Sequence, residues 1–140
     1  MQQTTSATSA TSRKIALVLG ATGGIGNAMA QKLLQRGWQV RALHRRAAQM
    51  AAADSNGIDW HQGDAMQQAD VIAAAEGAAI IVHAVNPPGY RNWGQLVLPM
   101  IDNSIAAARH SGARIILPGT VYNYGADAFQ IGRASCRERV

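Results

Sequence analysis

The sequence predicts an α/β fold, a doubly wound parallel sheet with strand order 3-2-1-4-5, and three observations predict it. An apolar run, Ile15 to Leu19, leads directly into glycines three apart at Gly20, Gly23 and Gly26. After it, short apolar runs alternate with helix-prone segments as far as Leu117. Glycine or proline punctuates the boundaries, at Gly37, Gly57, Gly63, Gly77, Pro87, Gly112 and Pro118. Alternation at this spacing implies parallel pairing through right-handed crossovers.

The first strand, Ile15 to Leu19, is apolar at every position and so is expected to be buried on both faces. Gly20 lets the chain turn at its end, Gly23 leaves room for a pyrophosphate near the backbone, and Gly26 lets the next helix pack closely on the sheet. That helix should run from Ile25 to Arg36, with Ile25, Met29, Leu33 and Leu34 near one face and Gly37 closing it. Its N-terminus offers free N–H groups and the positive end of a dipole to phosphates. A second strand, Gln39 to Leu43, completes a βαβ unit of about thirty residues.

Further on, 46–53 is alanine-rich and helix-prone, and Asp54-Ser55-Asn56-Gly57 breaks it. A third strand is expected over 58–62 and ends at Gly63-Asp64. A helix over 67–76 follows, closed by Gly77. The fourth strand, 79–85, is again apolar on both faces, and Asn86-Pro87-Pro88-Gly89 must leave the sheet. The longest helix should span 93–111, burying Leu96, Met100, Ile101, Ile105 and Ala108, with Pro99 either kinking it or lying in its first turn. A fifth strand is expected over 114–117, ended by Pro118-Gly119. In such a sheet ligands lie outside the carboxyl ends of the strands, near the switch between strands one and four.

With 140 residues, 48% of them apolar, the chain suits one domain. The leader, residues 1–13, is mostly Gln, Thr, Ser and Ala, and is expected to be disordered rather than a signal or membrane segment. No apolar run reaches the length of a membrane span, and a single cysteine makes no internal disulfide, so a cytoplasmic setting is expected. The net charge of +5 is scattered rather than clustered, without interleaved aromatics, which argues against nucleic acid as a partner.

The last ten residues, Ile131-Gly132-Arg133-Ala134-Ser135-Cys136-Arg137-Glu138-Arg139-Val140, fit no element of this layout. They carry the cysteine and three arginines, and without them ten basic residues stand against seven acidic ones. The decapeptide resembles, at every position, the translation of a common short-read sequencing adapter. Residues 131–140 are therefore expected to be a non-native tail on a truncated chain; the alternative is a natural basic tail.

Four segments together resemble the cofactor half of an extended short-chain dehydrogenase/reductase of the NAD-dependent epimerase/dehydratase branch. They are Gly20-Ala21-Thr22-Gly23-Gly24-Ile25-Gly26, Gly63-Asp64, His83-Ala84-Val85-Asn86-Pro87-Pro88, and Leu117-Pro118-Gly119-Thr120-Val121-Tyr122-Asn123-Tyr124-Gly125. The resemblance implies an incomplete Rossmann domain over 14–130, truncated after strand five, that binds a nicotinamide dinucleotide. It implies a small-molecule substrate for the full-length parent, with a homo-oligomer as an open possibility. Gly20, Thr22, Gly23, Gly24, Ile25 and Gly26 would form the phosphate loop. Asp64 would receive the adenine amino group, with Ala65 lining the base, although an Asp there also suits a helix N-cap. Ala84, Val85 and Asn86 would pass under the nicotinamide ribose.

Cofactor choice follows from charge at the end of the second strand. An acidic residue there would bind the ribose hydroxyls and repel a 2′-phosphate; His44-Arg45-Arg46 stands there instead. Guanidinium groups suit a phosphate dianion, which favours NADP(H) over NAD(H), with Arg45 as the main partner and His44 or Arg46 near the adenine. The alternative is a solvated basic start to the next helix. His83, inside an apolar strand, reads as a core histidine rather than a catalytic one.

Chemistry in that family uses Tyr-x-x-x-Lys, and no such pair occurs here: Lys14 and Lys32 are the only lysines. Tyr122 and Tyr124 follow strand five too closely to serve. Pro118 stands where the family usually has its serine, leaving Thr120 as the candidate catalytic hydroxyl. The expected reading is an NAD(P)-binding part of an oxidoreductase or epimerase/dehydratase whose acid/base pair lies elsewhere. The alternatives are a non-catalytic NADP-sensing regulator that binds a partner protein, and a sequence-assembly artefact without function.

Overall fold

A computed structural model describes residues 12–87, 89 and 92–119. Nine elements alternate: β1 (Ile15–Leu19), α1 (Gly24–Gln35), β2 (Gln39–His44), α2 (Ala47–Ala53), β3 (Asp59–Gln62), α3 (Gln68–Ala74), β4 (Ala78–His83), α4 (Trp93–Ser111) and β5 (Arg114–Ile116). The strands form one sheet in the order β3-β2-β1-β4-β5. Every pairing is parallel, with Leu19 opposite Leu43 on one side and His83 on the other. This is the Rossmann-type arrangement expected from the alternation of apolar runs and helices.

β1 explains why the sheet has two covered faces. Ala16 and Val18 point to the layer of Ala30, Leu33 and Val40, whereas Leu17 and Leu19 point to the layer of Val71, Ala74, Ile81 and Ala107. Successive residues face opposite sides of a strand, so an all-apolar run needs helices on both. Each large side chain buried this way contributes about 2 kcal/mol. From within β2, Arg41 Nη1 donates to Ala74 O at 3.2 Å and Glu76 O at 2.6 Å, tying the carbonyl end of α3 to the sheet.

Two expected helix faces are corrected. Ile25 is 60% exposed; α1 buries Gly26 and Ala30 together with the expected Leu33, and Met29 and Leu34 pack half-buried against the same core. The contact of Gly26 with the Gly20 backbone sets the rotation of α1, and Ile25, one position earlier, is turned outward. In α4 the buried residues are Met100, Asn103, Ser104 and Ala107, while Ile105 is 36% exposed. Small side chains let this helix approach α3 and β4, and two polar groups opposite it, on His83 and Ala65, find partners on that face. Leu96, Ile101 and Ala108 are half-buried. Pro99 lies inside α4, beyond its first turn.

β5 is the outer strand and pairs with β4; its last residue, Ile116, is 38% exposed and the following Leu117 60%. Among the described residues no helix is long and apolar enough to cross a membrane, and no three His, Cys, Asp or Glu side chains gather as a metal site. The leader up to Thr11 does not lie among the described residues, nor do Thr120, Tyr122, Tyr124 and the tail.

Candidate functional site

A cleft of about 420 Å³ opens at the carboxyl ends of β1, β2, β3 and β4, with α4 as its far wall. Gly20, Thr22 and Gly23 come to it from the turn after β1, His44 and Arg45 from the end of β2, Asp64 and Ala65 from the loop after β3, and Ala84, Val85 and Asn86 from the chain leaving β4. These residues were singled out in the sequence, and the sheet brings them together. Gly24, Ile25, Gly26 and Arg46 stand next to the cleft without lining it.

The three spaced glycines have different physical reasons. Gly20 has φ +83°, and a Cβ on it would lie 2.5 Å from the Ala84 carbonyl oxygen. A Cβ on Gly26 would lie 2.0 Å from Gly20 O. Both positions are closed by the protein's own backbone, so they fix where β1, β4 and α1 meet. Gly23 differs: its φ of −81° and ψ of 164° suit any residue, and a Cβ there would meet only Gly20 O at 3.4 Å. A Cβ on Gly24 would meet nothing within 4 Å.

The loop therefore leaves open space above Gly23 and Gly24. α1 begins there with no side-chain cap and no acidic residue in its first turn, so among the described residues no capping side chain competes for its leading N–H groups. An extended anion such as a pyrophosphate fits that cradle.

At the end of β2 the turn that carries Arg45 is held on both sides. His44 Nδ1 accepts from the Arg46 N–H at 3.0 Å, which leaves its ring proton on Nε2. Gln62, opposite His44 in the β2–β3 register, accepts from the Ala47 N–H at 3.2 Å and donates to Arg45 O. The His44 ring also meets Trp60 edge-on at 6.1 Å between centroids. Arg45 itself is exposed at the cleft's rim.

The loop after β3 is built more tightly than its sequence suggested. Asp64 Oδ1 accepts from the Met66 N–H at 2.9 Å, and Asp70 Oδ2 accepts from the Asp64 N–H at 2.9 Å. Asp64 closes this turn, while the N-cap position of α3 falls to Gln67. Gly63 is needed because a Cβ there would lie 2.7 Å from Leu43 Cδ1 and 2.9 Å from Asp70 Cβ. Asp64 is the one acidic side chain on the cleft's described lining.

Sequence reasoning missed Leu43, Met66, Leu96 and Met100 as cleft walls, and Gln62 and Asn103 as supports. The nearness of Met66 to Asp64 was a usable signal; the supports come from strand register and helix rotation, which no local pattern shows. His83 is 4% exposed and belongs to the core. Ser104 Oγ donates to Met100 O at 3.2 Å, so its 2.8 Å contact with His83 Nδ1 uses the ring N–H as donor. Burial holds the His83 pKa below its ordinary value.

The chain as a whole is similar to known proteins. Residues 20–133 match a family model described as NAD(P)H-binding, which covers most of the chain. The chain belongs to this NAD(P)H-binding family. Sterol demethylase protein B of Methylococcus capsulatus is 37% identical over 67 residues, covering 48% of this chain and 20% of that protein. The mouse sterol-4-alpha-carboxylate 3-dehydrogenase, decarboxylating, is 30% identical over 81 residues, covering 56% of this chain and 21% of that protein. A nucleoside-diphosphate-sugar epimerase of Pseudomonas aeruginosa superposes with a TM-score of 0.66 at 20% identity, over 81% of this chain and 35% of that one. The chain thus spans about a fifth of the length of these curated relatives. The family match agrees with the short-chain dehydrogenase/reductase resemblance of the four segments, and the cleft lies where an NAD(P)H-binding sheet places its cofactor.

Proposed function

We propose that this NAD(P)H-binding domain takes NADP(H) in preference to NAD(H) and serves an oxidoreductase or epimerase/dehydratase. One observation carries the cofactor preference: Arg45 stands at the cleft rim beyond β2, where no carboxylate lies. The Gln62 and His44 hydrogen bonds fix the backbone of its turn, which lowers the ordering cost of a guanidinium–phosphate contact.

In this reading Gly20 to Gly26 hold the pyrophosphate through open space and backbone N–H groups, Asp64 accepts from the adenine amino group, and Ala65 lines the base. Ala84, Val85 and Asn86 support the nicotinamide ribose. The bound nicotinamide supplies hydride transfer; the described residues bind and orient it. Thr120 is proposed as a helper hydroxyl near the reacting carbon, with the acid/base pair outside this sequence. The sterol and sugar-nucleotide relatives suggest a carbinol or carbonyl substrate.

A charge reversal tests the preference. Arg45→Glu should weaken NADPH binding by about tenfold or more and leave NADH binding equal or stronger, as read by calorimetric titration. Unchanged NADPH affinity in that variant would remove the 2′-phosphate contact. A second reading is a regulator that binds NADP(H) without turnover, and it predicts that the intact protein also lacks a Tyr-x-x-x-Lys pair. Hydride exchange by the intact protein would exclude it.

A further inference from the structure

The buried face of α4 carries an amide where packing alone would favour a hydrocarbon. Asn103 is 8% exposed, between Met100 and Ala107 on the side that meets α3 and β4. A leucine would fill similar space and bury apolar area without desolvating an amide. The Asn103 side chain instead donates from Nδ2 to Ala65 O at 2.9 Å, joining positions 38 residues apart.

The other hydrogen bonds that shape this loop come from within it, from α3 and from β2. Asp64 and Asp70 close the turn from within the loop and from α3, and Gly63 N donates to His44 O at 3.2 Å. Among the described residues, Asn103 supplies the hydrogen bond that reaches this loop from α4. It therefore sets how far the Asp64–Met66 segment stands from the wall formed by Leu96 and Met100, and so the width of the slot beside the Asp64 carboxylate.

We infer that Asn103 is a positioning residue for base recognition: by holding the Ala65 carbonyl, it keeps the Asp64 carboxylate where it reads the 6-amino group of adenine. The inference rests on the dinucleotide reading and deepens it. A 6-amino group donates to a carboxylate, whereas the 6-oxo group of hypoxanthine turns a lone pair toward it, so a fixed loop discriminates and a loosened loop does not.

The test uses the purified protein, NADPH and its hypoxanthine counterpart. The unsubstituted protein should bind NADPH at least about tenfold more tightly than the hypoxanthine dinucleotide. Asn103→Leu should bring that ratio close to one, mainly by weakening NADPH. Asn103→Ala, which cannot overfill the site, is read in the same way if the leucine variant does not fold. Ser104→Ala, one residue along and bonded to His83 rather than to the loop, should lower the melting temperature and keep the ratio. A merely structural amide would lower stability and both affinities together. An unchanged ratio in a folded Asn103 variant that still binds NADPH overturns the inference and leaves the cofactor reading standing. Failure of the unsubstituted protein to bind either dinucleotide overturns both.

Discussion

Alanine at the spaced glycines should separate the ones the fold needs from the one the ligand needs. In Gly26→Ala the new Cβ would lie 2.0 Å from Gly20 O, against an ordinary C···O contact of about 3.3 Å. Closing that gap means moving backbone by about 1 Å at the junction of β1 and α1, because neither partner is a flexible side-chain tip. Overpacking that side chains can absorb costs about 1–3 kcal/mol, so a backbone collision should cost about 3 kcal/mol or more. For a domain of this size the melting temperature should fall by about 10 °C or more.

Gly23→Ala presents the opposite case. Its backbone angles suit alanine, and its single neighbour is 3.4 Å away, so the variant should melt within a few degrees of the parent and, from reduced unfolded-state entropy, gain up to about 1 kcal/mol. Its methyl group would occupy the space assigned to the pyrophosphate, and NADPH affinity should fall by about tenfold or more. Differential scanning fluorimetry and calorimetric titration on the two variants read these outcomes independently. A Gly23→Ala protein that binds NADPH normally, or a Gly26→Ala protein that melts like the parent, would refute the assignment of these glycines.

Three further predictions follow from single contacts. Burial lowers the folded-state pKa of His83, so its contribution to stability is present above its ordinary value of 6.5 and is lost as pH falls through the lowered folded value; chemical denaturation between neutral and mildly acid pH should show that slope, and His83→Leu should flatten it. For Asp54, burial opposes its charge, but the N–H groups of Ile58, Asn56 and Gly57 outweigh it and hold the carboxyl below its ordinary value of 3.8, so its contribution is present above that ordinary value and is lost as pH falls through the lowered folded value. Asp54→Ala should destabilise the domain by about 1 kcal/mol in urea titrations at neutral pH. Arg41→Met should loosen the end of α3, seen as faster amide exchange at Glu76 and Gly77 with little change in NADPH affinity.

The sheet was legible in the sequence because its signals are local. Ile15 to Leu19 is apolar at every position, Gly20 ends the run, and Gly112 closes the long helix, so strand order and the placement of the cleft follow from alternation and handedness. The rotation of α4 was not legible. Apolar periodicity selected Ile105, yet the face that packs inward carries Asn103 and Ser104, because their partners, Ala65 O and His83 Nδ1, come from other parts of the chain. Ile25 failed for a related reason, since a backbone contact between Gly26 and Gly20 sets the rotation of α1. The Gln62 latch on the Arg45 turn depends on the β2–β3 register, which no local pattern specifies.

The cleft over Gly23 and beside Arg45 is proposed to hold a 2′-phosphorylated dinucleotide, and paired calorimetric titrations of the purified protein with NADPH and NADH would decide it. One site is expected, with NADPH bound about tenfold or more tightly and its advantage shrinking as ionic strength rises. Equal affinities, or tighter binding of NADH, would contradict it.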